Sequence, residues 1–185
     1  MKLAIFDMDG TLFDTRQANY MAYKQALNEF GFDVSREYYF DFCNGKYYMD
    51  FLPQLVGEDK EILQKIHALK KECYQEFLGE VIPNKHLLYI LKSIRGQYKT
   101  SLVTSASKNN VEMLLSYFNF YNQFDLIVSQ EDVRVKKPDP EGFLYAMKMF
   151  EAGPDETMIF EDSPEGIEAA RKTGAQVLVV DNKES

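Results

Sequence analysis

Four groups of side chains in this sequence have the types and order that phosphoryl chemistry needs. Asp7 and Asp9 stand two residues apart in Asp7-Met8-Asp9-Gly10-Thr11, directly after the apolar run Leu3-Ala4-Ile5-Phe6. On an extended backbone, residues two apart point to the same face, and two anions held that close repel unless a cation lies between them. A divalent metal with hard oxygen ligands relieves this, and Mg²⁺ is the usual choice where a phosphate shares the site. Further along come the hydroxyls of Thr104 and Ser105, the ammonium groups of Lys136 and Lys137, and a second acidic pair, Glu161-Asp162. Each alone could be a polar loop, since Asp and Gly are ordinary turn residues. Acidic, hydroxyl, basic and acidic groups in that order make the set that holds a phosphoryl group together with Mg²⁺.

Strand ends are the elements that bring such groups together. The run over residues 3–6, bounded by Gly10, suits a central parallel strand covered on both faces. From residue 100 onward the pattern alternates strictly. Strands are predicted over 100–103, 126–129, 158–161 and 176–180, and helices over 109–118, 140–150 and 164–172. Asp139-Pro140 and Ser163-Pro164 each place a capping residue before a proline at the first helical position. In such open sheets the ligand site lies beyond the carboxyl ends of the strands, where all four groups fall.

The first two sheet strands are separated by residues 8–98, although a parallel crossover needs only about a dozen residues. Helical spacing fills the surplus. Helices are predicted over 14–30 and 58–78, with a short aromatic piece from Ser35 to Phe42, a turn at Asn44-Gly45, a further piece to Val56 and a return linker over 79–83. A helix over 87–94 then leads into the second strand. The predicted fold is α/β: a doubly wound, Rossmann-like parallel-sheet core built from 1–15 and 81–185, with an all-helical cap inserted over 16–80.

The chain has 185 residues, 45% of them apolar and 14% aromatic, enough for a packed core. Its 29 acidic against 21 basic side chains give a net charge of -8, which argues against nonspecific binding to nucleic acid or anionic membrane. Cys43 and Cys73 lack C-x-x-C spacing and read as reduced residues. The first strand begins at residue 2, and no apolar run approaches membrane-spanning length. A cytoplasmic monomer is the expectation.

Together, Asp7-Met8-Asp9-Gly10-Thr11, Leu102-Val103-Thr104-Ser105, Lys137-Pro138 with Asp139-Pro140, and Glu161-Asp162-Ser163 followed by Gly166 resemble the motifs of the haloacid dehalogenase-like hydrolases. The chain looks like the helical-cap branch that includes phosphoglycolate phosphatase-like and beta-phosphoglucomutase-like proteins. The resemblance implies Mg²⁺-dependent hydrolysis of a small phosphomonoester, such as a sugar phosphate. Asp7 would be the nucleophile that forms an aspartyl-phosphate, and Asp9 the general acid and then base. Asp7, the Asp9 carbonyl and Asp162 would ligate Mg²⁺. Glu161 would either reach the metal through water or orient Lys137. Thr104 would offer its hydroxyl and Ser105 its amide to the phosphate, with two rivals left open: a one-residue shift between them, or simple capping of the next helix. Lys137 would neutralise a phosphate oxygen while Lys136 faces solvent.

The sequence departs from its mutase-like relatives in the inserted region. Asn19 stands where they carry a histidine, and Lys46-Tyr47-Tyr48 replaces their arginine-bearing motif. An amide cannot relay a proton as imidazole does, so a phosphatase is favoured over a sugar-phosphate mutase. Arg16, Asn19 and Lys46 are the candidate substrate contacts there. His67 and His86 lack metal-ligand spacing. A dehalogenase would need neither a second aspartate nor Glu161-Asp162.

Overall fold

A computed structural model describes residues 2–181. Its first strand, β1 (Leu3–Phe6), buries all four side chains completely, as a strand covered on both faces requires. The chain then turns sharply. Leu12 and Phe13 both direct their amides to the Met8 carbonyl at 3.0 Å, and the short strand β2 (Phe13–Asp14) follows. Asp7 makes the last ladder bond of this segment, from its amide to the Phe160 carbonyl at 3.0 Å. Met8 already belongs to the turn, so two-residue alternation does not govern Asp9, which is placed by a bridge to Phe13.

Residues 15–81 form a compact unit of their own, and the described residues before 15 and after 81 form the other. The first of these contains α1 (Arg16–Glu29), the single turn α2 (Arg36–Tyr38), α3 (Tyr48–Val56) and α4 (Lys60–Cys73). Ser35 caps α2 by accepting from the Tyr38 amide at 3.2 Å, and the helix runs on into π-type winding over Tyr39–Cys43. Asp59 caps α4 through the amides of Glu61 and Ile62, at 2.9 and 3.3 Å. Tyr23, Leu27, Tyr39, Phe51, Leu63 and Ile66 meet in the interior of this unit. The single helix predicted over 58–78 is two segments: α4 stops at Cys73, and Tyr74–Glu80 winds on as a 3-10 helix. Buried side chains recur through both, at Leu63, Ile66, Lys70, Tyr74 and Leu78, so the apolar pattern does not register the tighter winding.

The predicted linker over 79–83 contains β3 (Ile82–Pro83), which pairs antiparallel with β2, Phe13 opposite Pro83 and Asp14 opposite Ile82. Two residues, one a proline without an N–H, carry no periodic signal. Then come α5 (Lys85–Ile94), β4 (Lys99–Val103), α6 (Lys108–Tyr117), β5 (Leu126–Val128), α7 (Glu141–Met149), β6 (Thr157–Glu161), α8 (Pro164–Lys172) and β7 (Gln176–Val179). Ser163 caps α8 as predicted, its hydroxyl accepting from the Gly166 amide at 3.0 Å. At Asp139-Pro140 the helix starts later than predicted, at Glu141, whose amide donates to Asp139 Oδ1 at 2.9 Å.

The five sheet strands are parallel, in the order β5-β4-β1-β6-β7. This is an α/β fold. From β1 the chain adds strands outward through β4 and β5, then crosses to the other side of β1 for β6 and β7. The strand order therefore reverses beside β1, which opens a crevice at its carboxyl end. Beneath that end, Leu3, Ile5, Val103, Phe143, Ile159 and Ala169 pack as one apolar cluster. No helix of the described residues is long and apolar enough to cross a membrane.

Candidate active site

The carboxyl ends of three adjacent strands supply the site. β1 delivers Asp7, β4 leads into Thr104, and β6 ends at Glu161 with Asp162 following. Lys137 arrives from the loop before α7. Its ammonium lies 2.7 Å from Asp7 Oδ1, 2.6 Å from Glu161 Oε2 and 3.1 Å from the Val103 carbonyl. Three acceptors match the three donors of a lysine ammonium. The Phe143 ring lies 4.9 Å from the ammonium nitrogen.

Glu161 is fully buried and saturated. One oxygen takes Lys137; the other accepts from the Asp162 amide at 3.1 Å, the Ser163 amide at 3.1 Å and the Ser163 hydroxyl at 2.9 Å. Of the two roles left open for Glu161, these contacts favour orienting Lys137. Asp162 accepts from the Thr11 hydroxyl at 2.7 Å. Thr11 is itself completely buried, and a buried hydroxyl must find a partner. The sequence offered that signal only as a motif residue without a role.

Two glycines make room for these carboxylates. Gly10 has φ +90°, and a Cβ there would lie 2.1 Å from Asp162 Oδ2. At Gly166, in the first turn of α8, a Cβ would lie 2.1 Å from both the carboxyl carbon and Oε2 of Glu161.

One ammonium serves two buried carboxylates, and the charge balance shows it. Burial and the neighbouring Glu161 push the Asp7 carboxyl well above the usual range, and Lys137 offsets this only in part. Burial opposes the charge on Lys137, but Asp7 and Glu161 more than restore it, so the amine is held protonated. Burial and Glu161 also raise Asp162, to about 6, against the hydrogen bond from Thr11. Desolvated carboxylates crowded together carry this penalty until a cation joins them.

Asp7, Glu161 and Asp162 each offer a carboxylate oxygen, all within 4.8 Å of one another, the group among the described residues with the composition to hold a metal. With both oxygens of Glu161 committed to Lys137, two amides and Ser163, Asp7 and Asp162 remain as the hard oxygen donors of this group, and the deficit of positive charge fits a divalent cation.

Thr104 is buried, and its hydroxyl accepts from the Ala106 amide at 3.1 Å. Ser105 is exposed. Neither caps α6. That role belongs to Ser107, which accepts from the Asn110 amide at 3.4 Å, so the capping alternative for Thr104 and Ser105 is removed. Lys136 is exposed, in contrast to Lys137.

Arg16, Asn19 and Lys46 lie in the 15–81 unit. Asn19 is fully engaged there: its amide nitrogen donates to the carbonyl and hydroxyl of Thr15 at 3.1 and 3.2 Å, and its oxygen accepts from Lys70 at 2.5 Å. The Arg16 guanidinium stands 5.8 Å from the Phe40 ring. Lys46 is exposed, in the turn before α3. His67 stacks on Tyr48 at 3.9 Å and shares a 2.9 Å hydrogen bond with the Tyr23 hydroxyl, a packing arrangement.

The family profile described as haloacid dehalogenase-like hydrolase matches residues 4–180, nearly the whole chain. The chain belongs to the haloacid dehalogenase-like hydrolases. Within this family it is 30% identical over 182 residues to the phosphorylated carbohydrates phosphatase of Thermotoga maritima, covering 95% of this chain and 83% of that one. It is 27% identical to the fructose-1-phosphate phosphatase YqaB of Escherichia coli, covering 95% and 94%. In fold it is similar to the crystal structure of CbbY from Rhodobacter sphaeroides in complex with phosphate, with a TM-score of 0.82 at 24% identity, covering 100% of this chain and 90% of that one.

Proposed function

We propose that this hydrolase is a phosphatase that cleaves small phosphomonoesters, sugar phosphates among them, through an aspartyl-phosphate on Asp7. The observation that carries the reading is the placement of Lys137 between Asp7 and Glu161, at 2.7 and 2.6 Å, beside Asp162. A fixed cation against a buried carboxylate at a strand end stabilises charge where a phosphoryl group must sit. The similarity to two sugar-phosphate phosphatases supports the substrate class.

An Asp7 carboxylate oxygen attacks phosphorus and the ester P–O bond breaks. The departing alkoxide takes the proton of the Asp9 carboxyl. Asp9, now a carboxylate, removes a proton from water as that water attacks the same phosphorus, and the acyl-phosphate bond breaks to release inorganic phosphate and restore Asp7. Lys137 neutralises a nonbridging oxygen throughout, while Glu161 holds the ammonium in place. The Thr104 hydroxyl and the Ser105 amide bind the remaining oxygens. Asp7, the Asp9 carbonyl and Asp162 would hold Mg²⁺, which when bound supplies charge neutralisation at the phosphoryl group. The helical unit acts as a cap, with Arg16 and Lys46 selecting the alcohol portion and Asn19 held by Thr15 and Lys70.

Asn19 also bears on the mutase alternative. With both amide faces committed to Thr15 and Lys70 and no titratable proton, it cannot pass a proton to a second sugar hydroxyl. The test is phosphate release from a broad metabolite panel with Mg²⁺, run beside Asp7→Asn. Release by the wild type alone is expected. Activity in both proteins, or in neither, overturns the reading, and label moving between sugar positions without phosphate release establishes the mutase.

A further inference from the structure

Lys137 is held at its ammonium by three oxygens, but its backbone belongs to an irregular loop between β5 and α7 whose residues Arg134, Val135 and Lys136 are exposed. One side chain gathers that loop. Both carboxylate oxygens of Glu141 accept from the Arg134 amide, at 3.2 and 3.1 Å, and one also accepts from the Val135 amide at 2.8 Å. The Glu141 amide in turn donates to Asp139 Oδ1 at 2.9 Å, and the Asp139 amide closes on the Lys136 carbonyl at 3.0 Å. Arg134 to Glu141 is thus a ring of hydrogen bonds with Lys137 inside it.

We propose that Glu141 is a positioning residue for Lys137: by clamping the Arg134 and Val135 amides to the start of α7, it fixes the backbone from which the ammonium reaches Asp7. The inference rests on the phosphatase reading for its kinetic test and on geometry alone for its structural one. A carboxylate is suited to the task. It offers acceptors to two adjacent amides at once, and in the first turn of a helix its charge is favoured by the helix dipole. The first position of an α7 starting after Asp139-Pro140 also points this side chain back along the incoming loop.

Glu141→Ala should lower kcat by about 10- to 100-fold, the range seen when a supporting residue is removed from behind a reacting group, with KM changed by less than about threefold. Glu141→Gln retains an acceptor oxygen and should recover most of the rate. In a Lys137→Ala background, Glu141→Ala should cost less than about twofold, because residues acting through one another are not additive. The same loss in both backgrounds overturns the proposal, as does an alanine variant with unchanged kcat. If Glu141→Ala does not fold, Glu141→Gln and Glu141→Asp are compared in the same two backgrounds. As a control, Glu156→Ala removes a carboxylate from a similar loop clamp on the Gly153 amide, and should leave kcat within about twofold.

Should the wild type prove inactive on every ester, the phosphatase reading fails and the clamp is judged separately by amide hydrogen exchange. Glu141→Ala should then speed exchange at Arg134, Val135 and Asp139 together. Acceleration confined to Arg134 and Val135 would overturn the proposal.

Discussion

The backbone of Gly166 runs so close to the Glu161 carboxylate that a single added methyl would lie 2.1 Å from its carboxyl carbon. Alanine is a better helix former than glycine by about 1 kcal/mol, so Gly166→Ala on α8 would ordinarily be stabilising. Here Glu161 cannot swing aside without losing Lys137, two backbone amides and the Ser163 hydroxyl. Gly166→Ala should therefore lower both Tm and kcat, as thermal melts beside steady-state kinetics would show. A variant with raised Tm and full activity would mean that Glu161 has slack.

Lys137→Ala removes the ammonium shared by two buried carboxylates. It should cost about 3 kcal/mol of stability, the scale for breaking a buried pair on one side, and at least about a hundred-fold in kcat. Lys136→Ala, at an exposed position one residue away, should stay within about threefold of wild type in the same assays. Comparable losses in the two variants would contradict the placement of Lys137.

Asp7→Asn should abolish turnover by at least about a thousand-fold, as loss of a nucleophile does. Acid-quenched mass spectrometry of the wild type during turnover should find one added phosphoryl group on the peptide containing Asp7, absent in the asparagine variant.

Strand ends and motif residues were legible in the sequence because each carried two independent signals. The segment at Asp7 joined an apolar run to an abrupt acidic turn, and Ser163-Pro164 paired a cap with a proline. What the sequence hid lies in contacts between distant segments. Thr11 is 151 positions from Asp162 in the chain, and no local pattern announces that hydrogen bond. Gly10 was visible as a motif glycine, but its purpose is the absence of a side chain against the distant Asp162 carboxylate; Gly166 does the same for Glu161, five residues before it, which a motif match does not reveal either. β2 and β3 are two residues each, below the length at which alternation can be read. The change of winding after Cys73 was hidden because burial continued across it.

The metal-free site should respond to pH through Asp162. Its carboxyl is raised to about 6 by burial and Glu161, above the unfolded value of about 4. The folded protein therefore holds a proton that the unfolded chain releases. That contribution to stability is fully present below about pH 4 and is lost as pH rises through about 6. Mg²⁺ competes with this proton, so its stabilising effect should be larger near about pH 7.5 than near about pH 5. Tm measured with and without Mg²⁺ at both values gives the comparison. A larger metal effect at the lower pH would show that Asp162 is not among the ligands.

Because Asp14 and Ile82 face each other across the β2–β3 ribbon, the polypeptide departs and comes home through one narrow doorway. Neither strand of that ribbon belongs to the five-stranded parallel sheet. On the proposed function, exchanging the one continuous stretch of sequence between Asp14 and Ile82 would fit the same chemical bench with a different selector.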